Sequence, residues 1–271
     1  MRLFFSALGK LAPRMATLLT FGLLAGMLVL IDIAVTVTRG AGVPSGEART
    51  INVMALLTFP GAYNQIISFI LGLGGLVAVI YGAAIAGSEW TWGTLKTAVA
   101  RGESRSRYLL STFAAIVVVL FVGTLLTLII GVIAAIIGAS VDGVSLAGLS
   151  DRATLEALPG HFLRGWLAIT ETAGIGFAVA TLARSQLAGI GAGIGLYFGE
   201  TFAGLFLPDV VKYLPFHLAT AAVGGSTGMA SGASSLIPAL SVDTALILVT
   251  LWLIASLVLT AVFVERAEIT G

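Results

Sequence analysis

Residues Leu109 to Gly138 read LLSTFAAIVVVLFVGTLLTLIIGVIAAIIG, thirty positions without one charged side chain. A helix needs about 20 mainly apolar residues to cross a hydrocarbon core of about 30 Å. At about 1.5 Å per residue this stretch is roughly 45 Å long, so it must tilt or project beyond the bilayer, at its cytoplasmic start. Five further stretches qualify as spans: Met15 to Val37, Tyr63 to Ser88, His161 to Ala183, Leu187 to Leu207, and Thr244 to Val264. None shows the alternation of an outer-membrane barrel, whose segments run to about ten residues. The expected fold is all-α and transmembrane, a six-helix polytopic bundle forming a single domain over residues 1–271.

Composition agrees. Of 271 residues, 58% are hydrophobic and 10% charged, against roughly 25% charged in a soluble domain. Mean hydropathy is +1.07. So few charges cannot cover a soluble surface, which excludes a soluble enzyme, a nucleic-acid-binding domain and a disordered chain. A net charge of +1 gives no reason to expect a polyanionic partner. With no cysteine there is no disulfide framework, thiolate metal site or cysteine nucleophile, and two histidines are too few for a histidine metal cage.

Lys and Arg in the connections set the orientation. With the N-terminus inside, Arg2, Lys10, Arg14, Lys96, Arg101, Arg105, Arg107, Arg184 and Arg266 are cytoplasmic, nine of the 14. Arg39, Arg49, Arg152, Arg164 and Lys212 fall outside, among Glu47, Asp142, Asp151, Glu156, Asp209 and Asp243. Both termini are thus expected in the cytoplasm, in the cell membrane. The first apolar run is too long for a signal peptide and no A-x-A site follows it, so it reads as a retained helix. Ahead of it, Phe4, Leu8 and Leu11 recur at helical spacing, with Lys10 and Arg14 at the polar edge. Residues 1–14 therefore read as an interfacial amphipathic helix or as a basic flank that sets topology.

The charged island between the second and third spans is Glu89-Trp-Thr-Trp-Gly-Thr-Leu-Lys-Thr-Ala-Val-Ala-Arg-Gly-Glu-Ser-Arg-Ser-Arg107. Trp92, Leu95 and Val99 recur at i, i+3 and i+7, which predicts one apolar stripe on a helix. Gly102 and Ser104 offer a break before the next span. An amphipathic helix on such a loop can dock into a partner's groove and move with it. The alternative is a positive-inside loop whose tryptophans anchor at the interface.

This segment resembles the signature region of ABC-2 type (type V) ABC transporter permease subunits. Glu89 stands at the acidic position closing the second span, Gly93, Thr94 and Leu95 supply the Gly-Thr-Leu triplet, and Ser104 and Arg105 supply the following turn. Gly102 stands where the family usually has proline, and Ser111 and Thr112 where many members have Lys or Arg. Six spans, an N-terminal interfacial helix, the Ala-Arg-Ser-Gln turn ending at Gln186 and the Tyr213 to Phe216 stretch fit the same architecture. The resemblance implies a second permease subunit and a separate cytoplasmic ABC ATPase that carries ATP and Mg. It also implies that Glu89, Trp92, Gly93, Thr94, Leu95, Lys96, Arg101, Ser104, Arg105 and Arg107 form the coupling surface. The chain has no G-x-x-x-x-G-K-[ST] phosphate loop, so no cofactor is expected on it. An exporter of lipids, drug-like molecules or other amphipathic substrates is the implied activity.

Gly191, Gly195 and Gly199 repeat every four residues on the fifth span, a small-residue face that allows close helix approach. It suits either a subunit interface or packing within one chain. No Rossmann strand precedes these glycines and the G-x-G-x-x-G spacing fails, which rejects a nucleotide fingerprint. Glu171 and Glu200 lie 13 and 14 residues from the turn between the fourth and fifth spans, hence at one depth. Intramembrane acids are costly, so the pair reads as a polar point on a transport path or a proton-sensitive site. The structural alternative pairs Glu171 with Arg164, and Glu200 with Thr201 or the outer interface. Such a site is the basis of the rival expectation, an ion-gradient-driven transporter or channel. An intramembrane enzyme would need a histidine cluster, a cysteine or a recognisable Ser/Lys or Asp dyad, none of which the sequence offers. The external loop 208–243 is Gly-, Ser- and Ala-rich, and its apolar pieces Phe216 to Val223 and Leu236 to Leu240 suggest short helices dipping toward the membrane.

Overall fold

The computed structural model describes residues 2–38, 57–224, 237–238 and 240–267. Arg39, Glu47, Arg49 and part of the Leu236 to Leu240 piece lie outside them. The described residues form helices and turns, without a strand. In chain order the helices are α1 (Arg2–Leu11), α2 (Met15–Thr38), α3 (Gly61–Thr91), α4 (Thr94–Ala100) and α5 (Arg105–Val141), then α6 (Arg152–Ala183), α7 (Gln186–Ala203), α8 (Pro208–Val211), α9 (Pro215–Ala221) and α10 (Val242–Arg266).

Local chemistry sets the helix starts. Ser104, Asp151, Ser185 and Ser241 each accept a backbone N–H three residues on, at the starts of α5, α6, α7 and α10. Such a side chain satisfies one of the donors a helix start leaves open. Within the bundle, buried threonines return their hydroxyls to the preceding turn: Thr124 to the Leu120 carbonyl at 2.6 Å, Thr127 to Gly123 at 2.9 Å and Thr260 to Ser256 at 2.8 Å. Apolar surroundings offer no other partner.

Among the described residues five helices are long and apolar enough to cross a membrane: α2 over Met15–Val37, α3, α5, α6 and α10. α3 and α6 form the centre of the bundle and pack most extensively against each other. Their most apolar windows are 67% and 72% buried, against 22% in both α2 and α10, which therefore form the periphery. The centre is tight because glycine permits it. A Cβ on Gly82 would lie 2.1 Å from the Ala173 carbonyl oxygen, and one on Gly176 would lie 2.0 Å from that of Val79. α7 is shorter than the expected Leu187 to Leu207 span: it stops at Ala203 and carries Gln186 and Glu200. α5 exceeds its expected span at both ends, and α6 begins nine residues before His161, with Pro159 inside it.

Candidate functional site

The Glu89–Arg107 segment divides at Gly93. α3 runs through Thr91, Gly93 takes φ +65°, and α4 then starts at Thr94. A second left-handed glycine, Gly102 at φ +86°, releases the chain toward Ser104. Positive φ suits glycine because it lacks a Cβ. Trp92 therefore does not share a helix with Leu95 and Val99, as the expected single stripe required. Leu95 is buried and Val99 packs on the core, whereas Trp92 stands 65% exposed.

The expected coupling residues fall into two sets. Glu89 is buried, and its Oε2 accepts the hydroxyls of Thr94 and of Tyr108, the latter at 2.6 Å. One carboxylate thus ties the end of α3 to both α4 and α5. Arg105 Nη1 donates to the Ala267 carbonyl at 2.5 Å, and Ser106 Oγ donates to Glu265 Oε1 at the same distance, clamping α5 to the end of α10. Ser104 caps α5 through the Arg107 N–H. Glu89, Thr94, Leu95, Ser104 and Arg105 hold the segment. Trp92, Lys96, Arg101 and Arg107 are exposed and form its outward face.

Three cations outside the segment also close this end. Lys10 Nζ donates to Tyr108 Oη at 3.3 Å. Arg14 donates to Ser88 Oγ at 2.9 Å, and its guanidinium carbon lies 4.5 Å from the centre of the Trp92 ring. Arg184, in left-handed backbone at φ 51°, sits between the rings of Trp90 and Phe263, at 5.5 and 5.4 Å. Sequence marked the cations and tryptophans but not their pairing, which joins residues as far as 98 positions apart.

At the opposite end, Glu200 accepts the backbone N–H groups of Phe216, at 3.2 Å, and of His217. These are open donors of the first turn of α9, which Pro215 starts. Glu200 thus fixes α9 against α7, and the expected partner Thr201 instead donates to the Tyr197 carbonyl at 3.2 Å. The Phe216 to Val223 piece does form a short inward-packed helix, with Phe216, Leu218 and Ala219 buried. His217 lies outside the membrane-crossing helices, and burial holds its imidazole below the usual range.

Glu171 is fully buried in α6, and among the described residues neither carboxylate oxygen has a hydrogen-bond partner. Among the described residues it makes no ion pair with Arg164. Ile175, one turn on, packs with Val79 and Phe216, so this side of α6 looks toward α9.

Gly191, Gly195 and Gly199 are exposed, and a Cβ on any of them would meet nothing within 4 Å among the described residues. Packing of α7 inside the chain uses other glycines, with Gly189 against Ala180 and Gly193 against Val79. Leu196, Phe198 and Phe202 are exposed on the same helix. Among the described residues no group of three or more His, Cys, Asp or Glu is placed to hold a metal ion.

No curated protein matches the sequence. A family model does, over residues 48–270, which takes in every helix from α3 through α10 and leaves α1 and α2 outside. The chain belongs to that family, DUF2705, described as a protein of unknown function.

Proposed function

We propose that this chain is the permease subunit of an ATP-driven ABC-2 type transporter, most simply an exporter of a lipid, drug-like or other amphipathic substrate. The observation that carries this reading is α4. It is a short helix bracketed by two left-handed glycines, seated by Leu95 and Glu89, with Trp92, Lys96, Arg101 and Arg107 turned outward. A seven-residue helix braced to α3 and α5 is suited to passing a partner's movement into the bundle. In this reading α7 is the sixth span, α1 lies on the inner membrane surface, and both termini are cytoplasmic. The orientation rests on the Lys and Arg count.

The partner is a cytoplasmic ABC ATPase that carries ATP and Mg, and a second permease subunit, identical or related, completes the pathway. The exposed Gly191–Gly195–Gly199 face supports that second contact, because no described residue covers it. This chain carries out no covalent step. Transport in proteoliposomes tests the reading: it should persist when proton and sodium gradients are collapsed and stop when ATP is withheld.

Glu171 favours a second reading, an ion-gradient-driven transporter or channel. An unpartnered buried carboxyl in a membrane-crossing helix is a natural place for a moving proton. Glu200, its expected companion, is already engaged by the α9 backbone. Under this reading the dependence on gradients and ATP reverses.

A further inference from the structure

Between α1, the end of α3 and the start of α5 lies a cavity of about 210 Å³. Leu3, Ser6, Lys10 and Arg14 line one wall, and Glu89, Trp92 and Tyr108 line the facing one. Lys10 and Arg14 each give one hydrogen bond to a hydroxyl, of Tyr108 and Ser88. Among the described residues neither has a carboxylate within ion-pair distance. An ammonium has three donors and a guanidinium five, so most of their capacity is unused. Glu89 has its Oε2 turned to Thr94 and Tyr108.

The charged groups on the wall leave one net positive charge. That balance suits a singly charged phosphodiester. A doubly charged phosphate monoester would leave excess negative charge beside Glu89. Apolar surface begins next to the cavity: Arg14 immediately precedes Met15, which opens a membrane-crossing helix and is exposed, as is Leu18. A ligand here meets cations at its head and an exposed hydrocarbon-like surface beside it.

We propose that this cavity binds the phosphodiester headgroup of an anionic phospholipid from the cytoplasmic leaflet, with the acyl chains along the exposed faces of α1 and α2. The inference rests on the orientation given under Proposed function, which puts α1 at the inner surface. Arginine grips phosphate oxygens in pairs, and basic pockets at the cytoplasmic ends of membrane helices hold lipid headgroups by this chemistry. The bound headgroup bridges α1 to the start of α5, so the lipid braces the same end of the bundle that presents α4.

The test uses the full chain, purified alone in mild detergent, titrated with dioleoyl phosphatidylglycerol and read by native mass spectrometry. The expected result is one tightly held lipid per chain. Lys10→Gln with Arg14→Gln should weaken it roughly tenfold or more, while Arg152→Gln, an exposed position at the other end, leaves it unchanged. Ser6→Glu adds a carboxylate at an exposed rim position without removing any packing, and should cause a comparable loss. Unchanged affinity in both the double variant and Ser6→Glu overturns the proposal. Displacement of the lipid by millimolar inorganic phosphate overturns it too, in favour of a soluble phosphate compound. No ATPase is present, so failure here leaves the transport reading standing. Orientation is read separately by labelling Gly9→Cys in a chain that has no native cysteine. Labelling from the outer side overturns the leaflet assignment.

Discussion

The Glu200 carboxylate accepts the backbone N–H of His217, 17 residues further along the chain, and that of Phe216 beside it. A side chain of α7 thereby completes the first turn of α9. Hydrogen bonds to a charged group contribute roughly 1.5–3 kcal/mol each, and removing the acceptor leaves buried donors unsatisfied. Glu200→Ala should therefore speed amide exchange across α9 by about tenfold or more, with Glu200→Gln intermediate because one carbonyl oxygen remains. Hydrogen exchange of the Pro215–Ala221 peptide measures this, and unchanged protection in Glu200→Ala would remove the role assigned to Glu200.

The α3–α6 seam predicts the opposite behaviour for glycines of one type. Gly82→Ala drives a Cβ against a carbonyl of the facing helix, where backbone has to move. Overpacking of this kind costs roughly 1–3 kcal/mol. Gly195→Ala meets open space and should leave the melting temperature of the isolated chain within error. Equal effects of the two substitutions would contradict the close approach of α3 and α6.

The exposed glycine face gives a separate expectation. Gly195→Leu should leave the monomer folded and shift a detergent-solubilised dimer toward monomer, as measured by light scattering. A dimer of unchanged strength places the subunit seam elsewhere, on α2 for example.

Glu89 and Tyr108 form the brace behind α4. Tyr108→Phe removes one donor to the carboxylate, and Glu89→Ala leaves the Tyr108 and Thr94 hydroxyls without their acceptor. Protection of the Thr94–Ala100 peptide should fall modestly in the first and by about tenfold or more in the second. In the assembled transporter, Glu89→Ala should hydrolyse ATP with little transport. Full transport by Glu89→Ala would show that α4 does not need this brace.

Much of this arrangement was legible in the sequence because hydrophobicity and glycine act locally. The uncharged run from Leu109 to Gly138 requires a membrane-length helix, and Ser104, beside Gly102, marks the break before it, where the structure adds its role as cap. Gly102 signals a break, but the spacing of Trp92, Leu95 and Val99 carries a helix through Gly93 and puts Trp92 on a stripe that the structure does not form. A periodic pattern does not reveal a left-handed residue that resets the phase. The partners of the buried acids were illegible for a different reason. Depth along a helix follows from counting residues, whereas rotation depends on how α3, α7 and α9 pack around α6. The sequence alone offered Arg164 and Thr201 as partners. Packing left Glu171 with none and gave Glu200 the α9 backbone.

The central claim is that α4 and Trp92 meet a partner ATPase. Affinity purification of the tagged chain from its native membranes, in mild detergent, tests it most directly. The account predicts co-purification of a polypeptide that carries a G-x-x-x-x-G-K-[ST] phosphate loop. Arg101→Glu with Arg107→Glu, both at exposed positions, should abolish its capture while the chain keeps its melting temperature. Capture of the same ATPase by that double variant, or no ATPase with the wild-type chain, would contradict the claim.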